Sequence, residues 1–165
     1  MGRHASTPSQ TVGPFFGFAL PFAGDADAAA GDQTLRIEGR LLDGEGAPVA
    51  DGLLEVWDAG QFARCRTDAE GAYHVTVNKP PALIGPKGIP LASHLYVNVF
   101  ARGLLRHLTT RMYFPGEEAA HAGDPVLGRV DPARRGTLVA RGDARVLRFD
   151  VHLQGDDETV FFAAD

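Results

Sequence analysis

His94 and Tyr96 stand two residues apart in "SHLYVNVFARG", and on an extended strand that spacing turns both side chains to one face. An imidazole and a phenol so placed can converge on one metal ion. Two donors alone seldom hold a functional ion, and no second pair completes the set. His74, His107 and His152 each stand alone on their strands, and His4 and His121 fall in loops. A packed or surface histidine is the simpler reading of each, and the residues by themselves assign no metal. Arg102 ends the same segment with the parity of His94, so its guanidinium could face what His94 faces. Its fork suits a carboxylate, although an arginine at a turn is ordinarily solvated.

Other chemistry is poorly supplied. There is no G-x-S-x-G and no phosphate-binding loop, and neither Ser9, Ser93 nor Cys65 has a base signalled beside it. Asp43, Glu45, Asp68 and Glu70 sit in turn sequences, where carboxylates bond the local backbone. Trp57 and Tyr113 read as core or interface packing, and Cys65 as inert.

The elements that must position these residues are strands. Twenty glycines and eleven prolines cut the chain into short segments whose polarity alternates with a period of two. In "VLRFDVHLQ", Leu147, Phe149, Val151 and Leu153 face one way while Arg148, Asp150, His152 and Gln154 face the other. "TLRIEGRLL", "GLLEVWD" and "AYHVTV" read as further strands, with "DGEG" and "DAEG" as turns. "HLYVNVFA" and "LRHLTTRMYF" form a predicted central hairpin about Arg102 and Gly103. The Pro/Gly-rich run "NKPPALIGPKGIPLAS" between them and the preceding strands reads as a loop. A low-complexity loop precedes the first strand, and "FPGEEAAHAGDP" suits a short helical turn. Strands with one buried face need a second layer, and with no long helix that layer is another sheet. The expectation is all-β: a two-sheet antiparallel sandwich.

Composition bounds the rest. A chain of 165 residues supports one domain with a real core. A net charge of −5 gives no electrostatic reason to approach nucleic acid or an anionic membrane. A lone cysteine, no apolar leader in "MGRHASTPSQ" and no membrane-length apolar run make a cytoplasmic protein the expectation. What remains unexplained is "TPSQTVGPFF", two phenylalanines on a Gly-Pro turn ahead of the first strand.

"TPSQTVGPF", "LLEVWDA", "DAEGAYHVTVNKP", "FARG", "HLTTRMYF" and "RFDVHLQGDDETVFF" occur in this order along nearly the whole chain. Together they resemble the intradiol ring-cleaving dioxygenases, in particular the alpha-type subunit of the family's two-subunit, protocatechuate-cleaving members. The turn-and-strand skeleton alone is shared with many transthyretin-like sandwiches. The resemblance implies an N-terminal arm and loop over residues 1–34 contacting a partner subunit, and an intradiol-type β-sandwich over 35–165.

The family's catalytic subunit holds Fe(III) with two tyrosines and two histidines. Carried onto this chain residue by residue, the tyrosine positions fall at Phe62 and Leu83, and the histidine pair at His94 and Tyr96. Phenylalanine and leucine have no donor atom, so His94 and Tyr96 look like relics. No iron is expected in this chain, and Fe(III) is expected in a homologous beta-type partner. The same resemblance gives Gly13, Phe15 and Arg102 as substrate-binding residues, with Arg102 at the substrate's carboxylate and "GPFF" walling the partner's pocket. The reactants it implies are a small aromatic diol and O2. Two departures stand out: Phe15 replaces a tyrosine, and the chain is short between Trp57 and Cys65. A self-sufficient dioxygenase and a transthyretin-like binding module are the alternatives.

Overall fold

The alternation in Thr34–Leu42 becomes a nine-residue strand (β1) whose Leu35, Ile37 and Leu41 are buried. The structure, a computed structural model, describes residues 15–85, 88–143 and 145–163. After β1 come β2 (Leu53–Trp57), β3 (Phe62–Arg66), β4 (Ala72–Asn78), β7 (His94–Phe100) and β8 (Leu108–Tyr113). Two-residue strands β5 (Leu83–Ile84) and β6 (Pro90–Leu91) form a small hairpin inside the Pro/Gly-rich loop. Near the C-terminus lie β9 (Arg141–Gly142), β10 (Val146–Arg148) and β11 (Val151–His152). Two short helices, α1 (Phe16–Ala19) and α2 (Glu118–Gly123), complete the regular elements apart from 3-10 turns at Leu127–Arg129 and Arg135–Leu138.

The strands form the expected sandwich. One sheet places β1 between β4 and the C-terminal strands, and the other runs β3-β2-β7-β8. Leu35, Ile37, Tyr73, Val75, Leu147 and Val151 of the first sheet pack against Leu54, Val56, Leu95, Val97 and Val99 of the second in one buried cluster. Within the second sheet β7 is central, but β8 is its edge, so the hairpin about Gly103 is not central on both strands.

The C-terminal segment departs from a single antiparallel strand. It pairs with β1 in parallel, at Arg36↔Val146 and again at Leu41↔Val151, with an interruption between. Gly39 is the reason. A Cβ at that position would lie 1.9 Å from the carbonyl oxygen of Phe149, so only glycine allows the two backbones this close. In the gap, the Phe149 N–H donates to Glu38 O at 2.9 Å, and Asp150 Oδ1 accepts from the Arg40 N–H at 2.9 Å. The buried Tyr73 hydroxyl donates to Phe149 O at 2.5 Å, which closes the account of that carbonyl.

The low-complexity loop is more ordered than its composition implies. It runs beside β4, where the Thr76 N–H donates to Ala26 O and Ala28 N–H donates to Thr76 O. Segments 115–140, with α2 and both 3-10 turns, cover part of the second sheet's outer face. There Ala92, Tyr113, Leu127, Val130 and Leu138 form a second buried cluster. No helix among the described residues is long and apolar enough to cross a membrane.

Candidate functional site

Ladder register aligns four side chains across the outer face of the second sheet. Phe62 pairs with Trp57, Trp57 with Tyr96, and Tyr96 with Arg111; His94 pairs with Tyr113 one step along. Trp57 stacks on Tyr96 with centroids 4.5 Å apart, and the Arg111 guanidinium also lies over that ring, 5.0 Å from its centroid. Arg111 also donates to the hydroxyls of Tyr96 at 3.4 Å and Tyr113 at 3.5 Å. His94 meets Tyr96 edge-on at 5.0 Å and Tyr113 at 5.5 Å.

His94 is 2% exposed, and its Nδ1 lies 2.8 Å from Ala92 O. A carbonyl can only accept, so Nδ1 carries the proton and the lone pair resides on Nε2, which is buried with no hydrogen-bond partner. This is the tautomer a metal-ligating histidine adopts when a backbone carbonyl orients it. Burial holds the imidazole's pKa below its usual value, and the Arg111 charge pushes the same way, so the ring is neutral near pH 7. Burial likewise pushes the Tyr113 phenol up to about 12. His121 Nε2, on α2 and edge-on to Tyr113 at 5.7 Å, is a second buried nitrogen without a partner.

Asp124 pins the covering loop to this cluster. The carboxylate is 1% exposed, yet it accepts from the N–H groups of Val126 and Leu127 at Oδ1 (2.8 and 3.0 Å) and of Ala92 at Oδ2 (3.0 Å), with the Tyr113 hydroxyl at 3.4 Å. Both carboxylate oxygens therefore have donors, and the start of β7 is fixed two residues before His94.

The residues present do not fit a ferric ion. Phe62 is 44% exposed on an edge strand and Leu83 is 36% exposed on its own small hairpin, and neither side chain has a lone pair. Tyr96 faces a fixed cation, Arg111, which opposes a second positive charge beside it. No cluster of three or more His, Cys, Asp or Glu side chains suited to a metal occurs among the described residues.

Arg102 lies elsewhere. At about 3.3 Å per residue, the eight residues from His94 place it roughly 26 Å along the strand direction, so sharing the parity of His94 does not make it a neighbour. It occupies the turn after β7, with Nε 2.8 Å from Asp51 Oδ2 and the side chain 73% exposed. Helix α1 sits at the same end: Gly17 lies against the Asp51 carbonyl, and the buried Phe16 packs on Phe100 with centroids 6.1 Å apart. Beside it Phe15, Phe18 and Phe22 are 70%, 83% and 60% exposed. Gly13 lies outside the described residues.

Next to Tyr96 opens a cavity of about 630 Å³ on the covered side of the second sheet. Arg111, Arg129 and Arg134 reach it, and Val126, Val160 and Phe162 form its apolar wall. Arg111, Tyr113 and Asp124 carry most of this geometry, and motif reading missed their role. The parity of Thr109, Arg111 and Tyr113 was a usable signal, because once β7 and β8 pair these three must share the face of His94 and Tyr96.

Comparison with known proteins gives a consistent result. The chain is 39% identical to the protocatechuate 3,4-dioxygenase alpha chain of Burkholderia cepacia, across 94% of this chain and 96% of that one. It is 35% identical to the alpha chain of Pseudomonas putida over 94% and 95%. The beta chain of Burkholderia cepacia is 33% identical over 74% of this chain and 65% of its own length. Among solved structures, the hydroxyquinol 1,2-dioxygenase of Pseudomonas putida DLL-E4 superposes with a TM-score of 0.61 at 19% identity, covering 76% of this chain and 58% of that one. The likeness there is one of fold. No family model matches the chain.

Proposed function

From the premise that this chain belongs to the protocatechuate 3,4-dioxygenase alpha chains of the intradiol dioxygenase family, we propose that it works as the iron-free half of a two-subunit enzyme. The reaction is cleavage of 3,4-dihydroxybenzoate between its hydroxyl-bearing carbons. Both atoms of O2 enter the product, 3-carboxy-cis,cis-muconate. Fe(III) held by a homologous beta-type partner supplies the activation of the diol toward dioxygen.

The observation that supports this reading is the likeness to alpha chains over 94% of this chain, and it is joined by the family resemblance, which puts Phe62 and Leu83 at two ligand positions. This chain's own contribution is binding. Asp51 holds Arg102 through Nε, and the exposed side chain leaves its terminal N–H groups accessible to a substrate carboxylate. The arm spanning residues 1–34, with Gly13 and Phe15, forms part of the wall around the partner's pocket. Phe15 lacks the hydroxyl of a tyrosine there, so that part of the wall is apolar. The half-buried thiol of Cys65, pushed up by burial, suits a reducing cytoplasm.

Reconstitution tests the proposal. Purified alone, the chain should be colourless, hold far less than stoichiometric iron and turn nothing over. Co-expressed with a cognate beta chain it should give a coloured, active complex. Arg102→Ala in that complex should raise KM for 3,4-dihydroxybenzoate roughly tenfold while the iron content stays unchanged. Stoichiometric iron and unaided turnover in the chain alone would overturn the reading.

A further inference from the structure

The cavity beside Tyr96 has a charge pattern that the subunit role leaves unused. Arg111 is half-buried, and its contacts among the described residues are the Tyr96 ring and two phenol hydroxyls, with no carboxylate of those residues paired to it. Arg129, on the rim, has neither an ion pair nor a side-chain hydrogen bond among the described residues. Arg134 is already committed to Glu158, through its carboxylate at 3.3 Å and its carbonyl at 3.0 Å. One acid, Asp131, lines the cavity, and its Oδ1 is taken by the Ala133 N–H at 2.9 Å. A partly desolvated guanidinium without a counter-ion is costly, and an anion that brings its own apolar body offsets that cost while covering Val160 and Phe162. The volume of about 630 Å³ is in the range that holds a small molecule.

We infer that this cavity is a second ligand site, contained within this chain, for a small flat dicarboxylate: one carboxylate on Arg111, the other on Arg129, and the carbon frame against Val126, Val160 and Phe162. Two guanidiniums with no carboxylate partner among the described residues select two carboxylates, since a mono-acid leaves one of them unmatched. Cyclic and open-chain di-acids share this chemistry, so both belong in the test. The site lies within one chain and needs no partner, and its fate is independent of the subunit role proposed above.

Calorimetric titration of the full chain with isophthalate, with cis,cis-muconate and with benzoate tests it. At least one di-acid should bind with a Kd below about 1 mM, roughly tenfold tighter than benzoate. Arg111→Gln and Arg129→Gln should each weaken it roughly tenfold, and Arg141→Gln, outside the cavity, should not. Circular dichroism checks the fold of Arg111→Gln, and Arg129 on the rim gives an independent variant. Trp57, the chain's single tryptophan, stacks on the cavity-lining Tyr96, so its emission should change along the same isotherm and locate the ligand. Di-acids that bind no tighter than benzoate, or as tightly to both arginine variants, would overturn the site.

Discussion

The two ends of β7 differ in where their polar and apolar groups point. At the His94 end, an imidazole, a phenol and a carboxylate are buried, and Asp124 satisfies three backbone donors at once. At the Phe100 end, three phenylalanine rings and an arginine face outward, held by Phe16 on Phe100, by Arg64 on the Leu20 carbonyl and by Asp51. A monomer gains nothing from exposing a cluster of rings, whereas a chain that docks on another does. The first end therefore serves the fold of this chain, and on the proposed reading the second serves a neighbour.

Substitutions at the two ends should separate in what they disturb. Asp124→Ala orphans three backbone N–H groups, two of them buried, and should cost about 3 kcal/mol of stability or more in urea unfolding. A loss under about 1 kcal/mol would mean that the covering loop does not depend on this clamp. Phe18→Ser at the other end should leave stability within about 0.5 kcal/mol. It should weaken assembly with the beta chain roughly 30-fold, the equivalent of about 2 kcal/mol for one buried ring. Unchanged assembly, read by analytical ultracentrifugation, would remove the arm from the interface.

The smallest effect concerns pH. Because the folded state holds the His94 pKa below its ordinary value, the unfolded chain takes up a proton first as pH falls. Stability tied to this ring is then fully present above about pH 6.5 and declines below it, by at most about 1.4 kcal/mol per pH unit. His94→Gln should flatten that part of the profile. A parent-minus-variant difference that does not vary between pH 7.5 and 5.5 would show that the ring does not titrate against folding.

Much of this was legible in the chain itself. Period-two alternation carried the sandwich because one face of each strand is buried and the other wet. The interruption at Gly39 and Phe149 was not, because alternation continues unbroken through "VLRFDVHLQ" while a close backbone approach from another strand decides the pairing. The distance between Arg102 and His94 escaped parity reasoning for a related reason: parity gives a face and says nothing of position along it. Asp124 was invisible because its partners come from the link between β6 and β7, from β8 and from its own turn, three segments that only tertiary folding unites.

The parallel seam between β1 and the C-terminal strands has a kinetic consequence. The two partners lie 110 residues apart, so β1 emerges from the ribosome long before the segment that completes its sheet exists. Until residues 146–152 have been synthesised, one side of β1 is an open edge, and the nascent chain must wait, or be chaperoned, before it can close.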